Sequence, residues 1–126
     1  MGDIKALTAN DLIRVTGVKG KQYQRVSWHT ETIIMRHTLD ASEFMAVVLD
    51  TVKDCKSPDG VIAPELVDFA FRVNVVSAYA AVELPEDGMT LYYIMYASDL
   101  YDTVCRYANK AQIDAVKEAV MMYVGR

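Results

Sequence analysis

The sequence is short of the residues that usually carry metal binding and nucleophilic chemistry. It has two histidines, His29 and His37, and two cysteines, Cys55 and Cys105. None of them falls into CxxC or Cys/His spacing, which argues against a zinc site. No GxSxG, HExxH or catalytic Cys/His pattern occurs either. The sequence therefore predicts a protein without enzymatic activity or cofactor, whose cysteines are free thiols near the core faces of helices.

A basic excess is also missing, and so is a long apolar run. The net charge of −4 at pH 7 argues against a general phosphate-binding surface, so nucleic acid is not expected to be the main ligand. A possible basic patch remains at Arg14, Lys19, Lys21 and Arg25. The longest apolar stretch, around residues 61–82, is interrupted by charges, so no membrane span is predicted. The N-terminus has no signal-peptide core, and we expect a reducing, cytosolic setting.

The length and the turn patterns predict the organisation of the chain. Its 126 residues fit one domain that needs no disulfide or metal to fold. Residues 1–39 are predicted to hold a short helix and a β-hairpin, and residues 40–126 a bundle of four or five helices. The predicted class is α+β, mainly α.

Alternating polar and apolar residues predict the hairpin. Residues 31–39 combine partial alternation with a high content of β-branched residues, and residues 22–28 supply the second strand. One face of the later strand is predicted to hold Ile33, Met35, His37 and Leu39, and the other face Ile34, Arg36 and Thr38. An isolated hairpin is only marginally stable, so this one must dock on the helices or on another subunit.

Capping residues and a proline mark the starts of the helices. The three predicted N-caps, each followed at the third position by an acidic or amide residue, are Thr8, Asp40 and Asn109. A further helix is predicted from Pro64 to Ala81. It is apolar nearly all round, which predicts the most enclosed helix of the bundle. Its Asp68 and Arg72 lie four residues apart and are expected to pair.

Residues 82–104 hold four of the eight tyrosines and two methionines. Their helix is expected to break at Ser98 and Asp99. The aromatic residues spread around it more widely than one buried stripe would, so they form either an intersubunit or partner surface, or part of the core. The interface is the favoured interpretation, because tyrosine and methionine suit such surfaces. The residues predicted there are Tyr92, Tyr93, Met95, Tyr96 and Tyr101.

Two small polar clusters leave alternatives open. His29, His37 and Glu31 could bind a metal or transfer protons, but surface histidines on strands are the favoured interpretation. Asp99 and Asp102 could hold a hard cation, but solvated charges are favoured. No metal ligand or catalytic residue is therefore predicted.

Four segments carry a resemblance to known proteins. They are "ETIIMRHTLDASEFMAVVLDTV", "PELVDFAFRVNVVSAYAAVELPED", "YASDLYDTV" and "NKAQIDAVKEAV". In the order of their elements they resemble small proteins of the virion-assembly gene cassettes of tailed bacteriophages. The resemblance implies a non-enzymatic virion protein of the head, neck or tail-assembly region, such as a head–tail connector, assembled in the host cytoplasm. Its implied partners are copies of itself and other virion proteins.

A second functional hypothesis is a small phage-encoded regulator or inhibitor that binds a host protein or nucleic acid. The stretch "TANDLIRVTGVKGKQYQRV" has the character of a degenerate helix-turn-helix start with basic residues after the turn. The strand pattern in "YQRVSW" argues against this second hypothesis.

Overall fold

The computed structural model describes residues 6–16 and 23–125. The described elements are α1 (Ala9–Thr16), β1 (Tyr23–Trp28), β2 (Glu31–Arg36), α2 (Ala41–Asp54), a 3-10 turn (Pro64–Leu66), α3 (Val67–Tyr79), α4 (Gly88–Ala97), α5 (Leu100–Tyr107) and α6 (Lys110–Val124). Strands β1 and β2 form an antiparallel hairpin, and five helices follow it within the described residues. The predicted α+β class, mainly α, is confirmed.

Side-chain caps begin the helices where the sequence predicts them. The N-cap hydrogen bonds run from Asp11 N to Thr8 Oγ1 (3.1 Å), from Glu43 N to Asp40 Oδ1 (2.8 Å) and from Gln112 N to Asn109 Oδ1 (3.0 Å). The first two are full capping boxes, because the acidic side chain accepts a hydrogen bond from the N-cap backbone in return. The predicted break between α4 and α5 at Ser98 and Asp99 is also confirmed.

The hairpin docks on the helices of its own chain. Val26 of β1 lies opposite Ile33 of β2, and both belong to the same buried apolar cluster as the helix residues Val48 and Val116. Met35 is fully buried and forms an isolated β-bridge with the residue after α3. Apolar burial and backbone pairing therefore supply the support that a two-stranded hairpin needs.

Polar contacts hold the hairpin, and His37 that follows it, against the two ends of α5. The indole Nε1 of Trp28 donates to Asp99 Oδ1 over 2.7 Å, and Nε2 of His29 lies 3.2 Å from the same oxygen. The bond from Trp28 is the main reason that the pKa of the Asp99 carboxyl lies below its ordinary value. His37 donates from Nδ1 to the carbonyl oxygen of Tyr107 over 3.0 Å. The predicted strand extends to Leu39, but β2 ends at Arg36, and the His37 ring that follows it is exposed.

A partly buried hydrogen-bond junction at Gln112 joins three parts of the fold. Its Oε1 accepts from the backbone N of Leu39 (2.8 Å) and from the hydroxyl of Tyr79 (2.5 Å). Its Nε2 donates to the carbonyl oxygen of Leu39 over 2.9 Å. Gln112 therefore ties the segment between β2 and α2 to both α3 and α6, in addition to its backbone role in the α6 cap.

Arg36 at the end of β2 forms a two-pronged ion pair with Glu43 in the first turn of α2. Arg36 Nη2 donates to Glu43 Oε1 over 2.6 Å, and Nη1 donates to Oε2. The hydrogen bonds from Arg36 lower the pKa of Glu43 from 4.5 to about 2, against the opposing effect of burial. The pair couples the hairpin to the capping box of α2.

The stabilising effect of Glu43 is expected to disappear in acid. Its pKa is lower in the folded state than in the unfolded state, so its stabilisation is complete above the unfolded-state value of 4.5 and is lost as pH falls toward 2. After discounting for solvent screening, we expect a loss of about 1–2 kcal/mol. Urea unfolding near pH 6 and near pH 3 measures it. The control Glu43→Gln keeps the capping box and should lose less stability than wild type over this range; an equal loss would contradict the assignment.

Candidate protein-contact surface

Helix α4 carries a group of exposed tyrosines that adjoins a partly buried phenylalanine in the N-terminal half of α3. Because α4 turns its apolar residues Leu91, Ile94 and Met95 toward the core, its tyrosines lie on the opposite side. Tyr92 is 52% exposed and Tyr93 is 69% exposed. We call Tyr92, Tyr93, Tyr96 and the adjoining Phe69 of α3 the tyrosine face.

Ring contacts hold most of the tyrosine face in place. The ring centroids of Tyr92 and Tyr96 are 4.6 Å apart, and that of Phe69 lies 5.5 Å from Tyr92 and 6.3 Å from Tyr96. These separations are in the range of favourable aromatic pairs. Phe69, Tyr92 and Tyr96 are therefore held in place without a partner, which reduces the entropy lost on binding.

Arg72 of α3 supports the tyrosine face from beneath. Its guanidinium carbon lies 4.3 Å from the ring centroid of Tyr96 and 4.5 Å from that of Tyr101. Its Nε donates to Asp68 over 3.0 Å, which confirms the predicted pair, and Nη1 donates to the carbonyl oxygen of Met95 over 3.0 Å. Cation–π stacking and these bonds fix the last turn of α4 against α3.

The hydroxyl of Tyr96 donates to Asp68 over 2.5 Å. Burial first, and this bond second, raise the pKa of Tyr96 to about 12. The side chain is therefore a neutral donor at physiological pH, held in one orientation. Tyr96 contributes to folding as well as to the exposed surface.

An apolar groove of about 330 Å³ adjoins the tyrosine face. Its lining residues are Asp54, Leu66, Phe69, Ala70, Val73 and Leu91. Phe69 belongs to both features, so groove and face form one continuous surface. Asp54 is the charged residue of this lining, and its carboxylate accepts from Asn74 Nδ2 over 3.0 Å. Helix α3 has more buried residues than α2, α4, α5 or α6, in line with the prediction, although its N-terminal half forms the floor of an open groove.

Two of the five predicted interface residues belong to the interior instead. Met95 is 0% exposed and lies in the central cluster, because the turn of α4 that exposes Tyr92 and Tyr96 points Met95 inward. Tyr101 packs partly buried against the same cluster, and burial raises the pKa of its hydroxyl. The prediction is wrong for Met95, and Tyr101 serves as support for Arg72.

Comparison with protein families, with curated proteins and with solved structures gave no match for this chain.

The remaining predicted sites are dispersed. Arg14 lies in α1, Lys19 and Lys21 fall outside the described residues, and Arg25 is exposed on β1, so the basic patch stays a prediction. Asp99 is occupied by the hairpin contacts and Asp102 is exposed. No trio of His, Cys, Asp or Glu within residues 6–16 and 23–125 is placed to hold a metal ion.

The two thiols are free, and burial raises the pKa of both Cys55 and Cys105. At physiological pH they are therefore protonated, which makes them weak nucleophiles. Over the described part of the chain, no helix is both long enough and apolar enough to cross a bilayer.

The sequence did not predict the groove or the contacts of Arg72 with Tyr96, Tyr101 and the carbonyl oxygen of Met95. The tyrosine count and the Asp68–Arg72 spacing were visible signals, and they led to the correct helix pair. Nothing in the spacing shows that α4 leaves a gap beside α3, because this gap depends on how two helices separated by a loop pack together.

Proposed function

We propose that this chain is a non-enzymatic structural or assembly protein of a phage virion, which acts by associating with copies of itself and with other virion proteins. The observation that carries the proposal is the preformed tyrosine face beside an apolar groove. Exposed, ordered aromatics next to a groove are typical of binding hot spots. The virion setting rests on the resemblance of the four sequence segments.

The chemistry of the other candidate residues supports a non-enzymatic role. His29 and His37 are engaged in contacts that hold the hairpin region to the helices. Cys55 and Cys105 are shielded thiols with raised pKa values. These residues have structural uses, and none of them needs a reaction to explain its position.

The regulator hypothesis receives less support. A helix-turn-helix reading of the N-terminal stretch requires a second helix after the basic turn, but residues 23–28 form strand β1. No other observation favours a nucleic-acid ligand over a protein partner.

We expect the double variant Tyr92→Ala/Tyr93→Ala to weaken self-association while the monomer stays folded. Truncating interface aromatics costs about 2 kcal/mol or more, so the dissociation constant should rise about thirtyfold. Tyr93 is largely exposed, but Tyr92 also loses its ring contacts with Phe69 and Tyr96, so the free energy of unfolding should fall by about 1–2 kcal/mol. Sedimentation velocity over a concentration series measures the first effect, and urea unfolding measures the second.

The matched control is Tyr107→Ala, an exposed tyrosine on α5 outside the tyrosine face, which should associate like wild type. Wild type that stays monomeric at every concentration, or a double variant that associates normally, would refute the role of this surface. A chain that stays small, never accompanies purified particles and instead binds a host protein would favour the regulator.

A further inference from the structure

A cavity of about 300 Å³ lies between α2 and the C-terminal half of α3, next to the end of β2. It is separate from the apolar groove, although a hydrogen bond joins Asp54 of the groove lining to Asn74 of the cavity lining. Its volume is at the lower end of the range for ligand sites. The cavity therefore suits a small molecule or a single side chain of a larger partner.

The ion pair of Arg36 and Glu43 forms one part of the lining and carries no net charge. Both carboxylate oxygens of Glu43 accept from Arg36. Nε of Arg36 has no hydrogen-bond partner among the described residues, but it is buried away from solvent, so a ligand in the cavity does not reach it. The net charge of the lining is therefore the single negative charge of Asp50, its one other ionisable residue.

Three side chains of the lining keep unused hydrogen-bond acceptors. Asp50 of α2 is exposed, and within the described residues its carboxylate has no partner. Both N–H groups of the Asn74 amide donate, to Asp54 and to the carbonyl oxygen of Ala70, which leaves its Oδ1 without a donor. The exposed hydroxyl of Ser77 likewise has no partner in the described part of the chain. The cavity can therefore accept hydrogen bonds from a positively charged group.

The remaining lining is apolar and is built mostly from small side chains. Ala46 and Val47 lie one turn before Asp50 on α2, and Ala78 lines the cavity from α3. Such a wall packs against methylene groups and offers no polar side chain. A ligand that matches both parts has a short aliphatic chain with a charged donor at its end.

We propose that this cavity binds a primary ammonium group carried on a short aliphatic chain. An ammonium has three N–H donors and one positive charge, and the lining has three side chains with free acceptors and one net negative charge. A guanidinium is a flat fork that suits one carboxylate, whereas these acceptors come from separate side chains on two helices. A lysine side chain of a partner protein and a free aliphatic polyamine share this chemistry. The site does not depend on self-association through the tyrosine face.

Nuclear magnetic resonance titration of the isotope-labelled full chain tests the proposal. The probes are Nα-acetyl-lysine amide and spermidine, at constant ionic strength. We expect both to cause saturable shifts of the backbone amide signals of residues 46–50 and 74–78, which line the cavity. Tighter binding of the lysine compound assigns the site to a side chain of a protein partner, and tighter binding of spermidine assigns it to a free polyamine. The lysine compound with an acetylated Nε has no charge and should bind at least about tenfold more weakly.

Variants locate the binding. Asp50→Asn removes the charge and keeps the shape, so the dissociation constant of each probe should rise at least about tenfold. The matched control Asp102→Asn makes the same change in net charge at an exposed position of α5 outside the cavity, and it should bind like wild type. Ala46→Leu fills the cavity from an exposed position of α2 and should abolish the shifts, which provides a second test if Asp50→Asn does not fold.

Three results would overturn the inference. If Asp50→Asn and Asp102→Asn weaken binding equally, the probes follow the overall negative charge of the chain and the cavity is not their site. If the acetylated compound binds as tightly as the charged one, the cavity selects the aliphatic chain and not the ammonium. If neither probe causes saturable shifts in wild type, the cavity holds only solvent. None of these results bears on the tyrosine face, so the proposed function is tested separately.

Discussion

Replacement of Gln112 by alanine is expected to lower the free energy of unfolding by about 2–4 kcal/mol, because it removes the partner of three polar groups at once. The backbone N and carbonyl oxygen of Leu39 and the hydroxyl of the fully buried Tyr79 all bond to this amide. Leaving such groups unsatisfied costs more than the bonds themselves contribute. The melting temperature should fall by roughly 10 °C, and urea unfolding with thermal melts measures both effects.

Two variants sharpen this test. Gln112→Glu keeps the acceptor oxygen but places a carboxylate oxygen against the carbonyl oxygen of Leu39, so at neutral pH it should also be destabilising. Glu118→Ala, at an exposed position of the same helix, should change stability by only about 0.5 kcal/mol. A Gln112→Ala protein as stable as the Glu118→Ala protein would show that the junction contributes little.

Met95→Ala is expected to lower the free energy of unfolding by about 2–5 kcal/mol, because it opens a cavity in a packed core. Met95 is fully buried and touches the same cluster as the hairpin and the other helices. Self-association of the folded fraction should be unchanged, since the side chain does not reach the surface. This is the reverse of the pattern expected for the tyrosine variants.

The control for Met95 is Met89→Ala on the first turn of the same helix. Met89 is 78% exposed, so its removal should leave stability within about 0.5 kcal/mol of wild type. Urea unfolding and sedimentation velocity on both variants separate a core role from a contact role. If the Met95→Ala protein has a normal free energy of unfolding but associates more weakly, Met95 is part of the interface after all.

Local chemistry made much of the fold predictable. A capping box specifies a helix start through bonds within four residues, so the starts at Thr8, Asp40 and Asn109 could be read from the chain. The strand pattern located β2 from neighbouring residues in the same way. It did not predict that β2 ends at Arg36, where His37 turns toward Tyr107. That contact spans 70 residues, and no local pattern contains it.

The surface was less predictable because it depends on how helices pack. The number of tyrosines in α4 indicated more aromatic area than one core stripe absorbs, and Tyr92 and Tyr93 are indeed exposed. Which residue of the helix turns inward is set by the angle at which α4 meets α3. Met95 and Tyr93 lie two positions apart, and the sequence alone did not separate them.

The long-range contacts of the hairpin have a consequence for the nascent chain on the ribosome. Trp28 meets Asp99 across 71 residues, and Leu39 meets Gln112 across 73. At about 5–20 residues per second, these partners follow roughly 4–14 s after the hairpin has been made. During that delay the apolar side of the hairpin lacks the part of its covering surface that α5 and α6 supply. We therefore expect holdase chaperones to bind the nascent chain in this interval, and products of premature termination before α6 to aggregate rather than fold.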